Sequence, residues 1–185
     1  MKRLFNPFRY IAGAKALILG LIFIAAATLM LYSGSLIQDS YIHIGMAQAP
    51  LWYVGAMQII WWLLPTLLLY LCGIALSKSK IRIIDILGTT AFAQLILLLM
   101  IAPMLLPAIM NGMTDILVAL QSGVTPTGST IIPLMIYSIW SIVCLVLFYI
   151  WNYNAFAVSC NVNGWKAILS FIGVQIVVTI AGMVL

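Results

Sequence analysis

Five apolar stretches, at residues 16–33, 54–76, 83–106, 131–150 and 167–185, run without an internal Lys, Arg, Glu or His. Crossing a hydrocarbon core of about 30 Å takes about 20 helical residues at 1.5 Å each, so each stretch is long enough or nearly so. Lipid offers the backbone no hydrogen bonds, so a segment within it must satisfy its own. Helices do this, and the short alternating segments of a membrane barrel are missing. Composition agrees: 65% of residues are hydrophobic and 6% charged, against roughly 25% charged in a soluble domain. The expected fold is all-α, a polytopic membrane protein with a five-transmembrane-helix bundle. Residues 1–15 form a cytoplasmic or interfacial segment and residues 16–185 the membrane domain.

The connections carry turn-forming residues. Ser33–Gly34–Ser35 and Gln38–Asp39–Ser40 end the first span, and Ser77–Lys78–Ser79–Lys80 ends the second. Pro107 and then Asn111–Gly112 end the third, and Thr125–Pro126–Thr127–Gly128–Ser129 precedes the fourth. Asn152, Asn154, Asn161, Asn163 and Gly164 separate the fourth from the fifth. With five spans, the eight basic residues Lys2, Arg3, Arg9, Lys15, Lys78, Lys80, Arg82 and Lys166 all fall on one side. Random placement would give so one-sided a split about once in a hundred trials, and Lys and Arg mark cytoplasmic loops. The N-terminus is therefore expected in the cytoplasm and the C-terminus outside, with Asp39, His43 and Asp115 on the outer side. Basic residues followed by an apolar core and Ala25–Ala26–Ala27 also fit a cleaved signal peptide, but the apolar run continues through Leu31, which suits a retained span.

Residues able to do chemistry are scarce. His43 is the single histidine, glutamate is absent, and the acids are Asp39, Asp85 and Asp115. These give no metal-ligand cluster and no Ser/His/Asp set with a base held between nucleophile and orienting acid, although His43 and Asp39 share one short loop. No nucleotide-binding or metalloprotease motif appears, so neither catalysis nor a cofactor is expected. The bases are too few and scattered for nucleic acid. Cys72 and Cys144 lie in apolar runs as small hydrophobes; Cys160 sits in a polar connection, as a loop residue or a reactive thiol.

Two groups of polar residues remain as candidate sites. Gln58, Gln94 and Gln175 lie in three different spans, with Ser138 and Ser141 in a fourth. They either hydrogen-bond between helices or line a polar path. On the cytoplasmic side Lys78, Lys80, Arg82, Asp85 and Lys166 form a candidate contact surface for anionic lipid headgroups or another protein. Asp85 follows Arg82 by three residues, a helical spacing that pairs them, and an acid near a helix N-terminus suits the dipole. Trp52, Tyr53, Tyr149, Trp151, Tyr153 and Trp165 read as interfacial anchors; Trp61 and Trp62 sit deeper, in helix or lipid packing or, as the alternative, lining a pocket. Ala12, Ala16 and Gly20, and Thr89 with Ala93, recur every four residues, a spacing that lets helices approach closely.

The Asn6–Pro7–Phe8–Arg9 lead-in, five closely spaced spans, the segment from Ile81 to Ala91, and the run from Trp151 to Lys166 with Tyr153–Asn154–Ala155 and Gly164–Trp165–Lys166–Ala167 occur in an order that resembles the Yip-one family, and especially its short bacterial members. The resemblance covers most of the chain and implies a multi-pass membrane protein working through protein or lipid contacts. Eukaryotic relatives bind Rab-type GTPases and carry a longer cytoplasmic N-terminal region; only about fifteen residues precede the first span here, so Rab-type binding is not expected to carry over. The expectation is a non-enzymatic protein of the bacterial inner membrane whose partners are membrane lipids, a second copy or another membrane protein. The alternative is a small transporter or channel-like subunit with a neutral polar path.

Overall fold

The computed structural model describes residues 6–77, 79–123 and 128–184. Six α-helices form: α1 Gly13–Ser33, α2 Leu51–Leu76, α3 Ile83–Ile101, α4 Pro107–Ser122, α5 Gly128–Ser159 and α6 Trp165–Val184. All but α4 are long and apolar enough to cross a membrane, α3 being extended by a 3-10 turn at Ala102–Leu105. This is an all-α integral membrane protein with a five-helix bundle. The five spans fall where hydropathy puts them.

Two helices depart from the sequence reading. α5 continues through Asn152 and Asn154, which were expected in the connection. Asn152 is buried and donates to the Phe148 carbonyl one turn back (2.9 Å), so the helix itself absorbs its polarity. The second departure is α4, which was expected as a loop. Pro107 does end α3, but it also opens a new helix at a position where its missing N–H costs nothing, and Gly123 (φ +71°) closes it. α4 lies against the first part of α5: Thr130 donates to Asp115 (3.2 Å), and Gly112 faces Leu134. At 32 residues, α5 is about 48 Å long, well beyond the bilayer core, and its first third packs on α4 while Tyr137 still reaches the core.

The closest packing is between α1 and α3, which run parallel. Gly13 adjoins Asp85, Leu17 adjoins Gly88, and Gly20 meets Ala91 and Phe92. A Cβ on Gly20 would overlap Ala91, and one on Gly88 would strike the Gly13 carbonyl. The small-residue spacing thus works as expected through Ala16 and Gly20. Ala12 lies just outside the helix as its N-cap, and Thr89 faces Ser159 of α5 (Oγ1···Oγ 2.7 Å).

The lead-in sends one side chain into the bundle, while Arg9 and Tyr10 stay exposed. Phe8, on a 3-10 turn, is buried edge-on against Phe92 and Trp151, and these two stack at 5.9 Å and 5°. Trp151 is therefore core, not an interfacial anchor, whereas Trp52 and Trp165 are exposed near helix ends as expected. Trp62 packs inside, its Nε1 donating to Thr90 (3.2 Å).

One bundle end gathers the starts of α1, α3 and α6 and the ends of α2 and α5. There Ser159 donates to the Asp85 carbonyl (3.1 Å) and Gly73 abuts Cys160. Arg9, Lys15, Lys80, Arg82 and Lys166 all lie at this basic end. Lys2, Arg3 and Lys78 are outside the described residues.

At the other end the 34–50 connection, expected as an outer loop, folds into a β-hairpin: β1 Leu36–Gln38 pairs antiparallel with β2 Ile44–Met46, Ile37 opposite Gly45. Leu36, Ile37, Gln38 and Tyr41 are buried. A chain that leaves water must pair its backbone groups, and the ladder does so. Tyr41 reaches Phe148 (5.6 Å between rings) and the Ile96–Leu97 level of α3. Ile96 stands eleven residues beyond Asp85, roughly 16 Å along the helix, so the tyrosine reaches about half the depth of a bilayer core.

Candidate functional site

At the basic end, Lys166 in the first turn of α6 shares a recess of about 460 Å³ with Ser79, Asn161 and Asn163, its ammonium 5.9 Å from the Trp165 ring. Lys80 and Arg82 are exposed beside it. The expected Arg82–Asp85 pair is not made. Arg82 is the N-cap of α3, with an extended backbone (ψ 125°), so the helical geometry that would bring the two side chains together starts one residue too late. Asp85 is half-buried beside Gly13, where a Cβ would stand 3.3 Å from its Oδ1. At the hairpin tip His43 Nδ1 and Asp39 Oδ1 share a hydrogen bond (2.6 Å).

Cys160 is fully buried against Gly73, and burial, with Cys72 nearby, pushes its thiol up to about 12. Both the burial and the raised thiol disfavour a reactive thiolate at neutral pH.

The interior glutamines divide. Gln94 is buried on α3, whose main packing is with α1 and α5. Gln58 and Gln175 lie on α2 and α6, which pack against each other. They are 1% and 7% exposed, and no amide atom of either has a hydrogen-bond partner. Neither amide makes a hydrogen bond to another helix in this arrangement. Ser138 and Ser141 donate to carbonyls of their own helix, Leu134 and Ser138; Ser138 is exposed and Ser141 half-buried.

Three further residues join Gln58 and Gln175. Gln38 spends its Nε2 on the Tyr41 carbonyl (2.9 Å), leaving Oε1 buried and unpaired; the Tyr41 hydroxyl and Trp61 Nε1 are likewise buried without partners. β1 packs on α2, and Ser40 and the Trp61 ring both approach Gly182 of α6. The hairpin, α2 and α6 thus enclose this set together. Burial drives the Tyr41 phenol far above its ordinary range, Tyr149 adds to this, and Gln175 lies close enough to pull the other way without completing a hydrogen bond. Tyr41 is a neutral donor throughout the physiological range.

Sequence reasoning missed Tyr41, read Gln38 only as a turn residue, and weighed Trp61 between packing and pocket lining. The available signal was the apolar content of the connection: Leu36, Ile37, Tyr41, Ile42 and Ile44 are too many for a water-facing loop of this length.

Gln175 also lines a groove of about 470 Å³ on the outer face of α6, between Tyr149 and Phe171, Ile176, Thr179 and Met183. Tyr149 and Gln175 both neighbour the Tyr41 hydroxyl, so the groove wall backs onto the polar interior. Ala167 and Lys166 in the recess, and Phe171 and Gln175 in the groove, lie on successive turns of one helix. No family model, curated protein or solved structure matches the chain.

Proposed function

We propose that this is a non-enzymatic, Yip-like protein of the bacterial inner membrane, its basic end and N-terminus in the cytoplasm, that acts through lipid contacts. In this role it accepts an uncharged, hydrogen-bonding amphiphile from the bilayer into the α6 groove. The observation that carries the proposal is the unpartnered Gln175–Tyr41 pair behind an apolar groove on an otherwise lipid-facing helix. Each unpaired buried polar group costs about 1–3 kcal/mol, a cost a ligand's polar head would offset. A groove of this size is within the range that holds small ligands. Among the described residues no Lys, Arg, His, Asp or Glu side chain is buried, which selects a neutral head; Lys166, Lys80 and Arg82 would meet anionic headgroups at the membrane surface.

A second reading, a neutral-path transporter, draws support from Gln58, Trp61 and Gln38, which continue the unpaired set inward from the groove. Lipid analysis of the protein purified in mild detergent tests the first. A neutral amphiphile should be retained by the wild type and lost in Gln175→Leu and Tyr41→Phe; equal retention by both variants removes the proposal. Orientation is tested separately. A cysteine placed at Asn163 should react with an impermeant thiol reagent from the cytoplasmic face alone.

A further inference from the structure

At the hairpin end a second recess, of about 240 Å³, is lined by His43 of the hairpin, Met100 of α3, Met104 of the 3-10 turn, Met113 of α4 and Tyr137 of α5. Three of the ten methionines of the chain and its single histidine meet here, from four separate elements. Methionines that only fill a core close the gap they fill; these three border an open one.

The chemistry of the set is soft and uncharged. Thioethers with one imidazole suit a monovalent soft ion such as Cu⁺ or Ag⁺, not the hard oxygen-seeking Ca²⁺ or Mg²⁺. Among the described residues no three of His, Cys, Asp and Glu gather in one place, so a zinc-type ligand set is not what this recess offers. His43 Nδ1 is held at 2.6 Å by Asp39 Oδ1, which fixes the ring and leaves Nε2 as the open nitrogen. A carboxylate behind a histidine is the usual second partner of a metal-bound imidazole, orienting it and raising its basicity. Gly45 leaves space for this pair: a Cβ there would stand 3.1 Å from Asp39 Oδ2 and 3.7 Å from His43 Cε1. The His43 side chain is 67% exposed, which gives an ion a way in.

We propose that His43, Met100, Met104 and Met113 form a binding site for Cu⁺, with Asp39 as the positioning residue behind His43. Silver(I) is the redox-inert probe. Added to the full chain in detergent, Ag⁺ should bind at one equivalent and shift the methyl signals of Met100, Met104 and Met113 in a ¹³C-methionine spectrum, a test that needs no variant. His43→Ala and Met104→Leu should each weaken binding at least tenfold and Asp39→Asn about tenfold, while Zn²⁺ should not compete. Methyl signals that do not move on Ag⁺ addition, or an affinity unchanged in His43→Ala, would overturn the site. So would binding abolished by Cys144→Ser or Cys160→Ser with His43 and the methionines intact.

Discussion

Replacing Gly20 with alanine tests the central packing claim. The added Cβ would lie 2.6 Å from the Phe92 nitrogen and closer still to the Ala91 carbonyl carbon and Cβ. Carbon atoms in contact prefer about 3.5–4.0 Å, and backbone atoms cannot rotate aside. α1 and α3 must therefore part by about 1 Å along the most extensive helix pair in the bundle, where Gly88 makes a second close approach to Gly13. Overpacking of this kind costs about 1–3 kcal/mol. Alanine returns up to about 1 kcal/mol through helix propensity, leaving a net loss of about 0–3 kcal/mol, centred on a few degrees in Tm. Gly173 is the internal control: a Cβ there meets nothing within 4 Å, so Gly173→Ala should be neutral or stabilising. Thermal unfolding in mild detergent, followed by circular dichroism, measures both. A Gly20→Ala protein melting above the wild type would refute the close-contact reasoning.

Gln175→Leu should raise the stability of lipid-free protein by about 1–3 kcal/mol, because it removes a buried amide with no partner; a lower melting temperature would mean that the amide is bonded after all. Thr90→Val should act in the opposite sense. Thr90 Oγ1 accepts from Trp62 Nε1 (3.2 Å) and from Thr66 (3.0 Å), so an isosteric valine strands the indole N–H at a cost of about 1 kcal/mol, read by the same melt. Cys160, with its thiol near 12, should resist iodoacetamide at pH 8 in the folded protein and react only on unfolding. Native labelling at that pH would contradict its burial.

The sequence by itself determined the five spans and the gathering of basic residues at one end of the bundle. Both follow from local chemistry: a run of about 20 apolar residues has few alternatives to a membrane helix, and charge is kept out of such runs whatever their neighbours are. It also marked Ala16 and Gly20 as a place for close contact, since only small side chains let two backbones approach. Pro107 and Gly123, as helix start and stop signals, mark α4 locally as well. Other features were not local. Nothing in Leu36–Gln38 or Ile44–Met46 alone says that the connection turns back into the bundle, because the strands are three residues long and stable only when paired and covered. Only that insertion puts Gln38 and Tyr41 with Trp61 and the two glutamines, and only α4 folding back on α5 puts Met113 with Met100, Met104 and His43. The departure of Arg82 from Asp85 has the same origin: their spacing suited a helix, but the helix begins between them. Tertiary structure decided each of these because a polar group's partners depend on which other elements arrive beside it, and the order of residues along one segment does not contain that information.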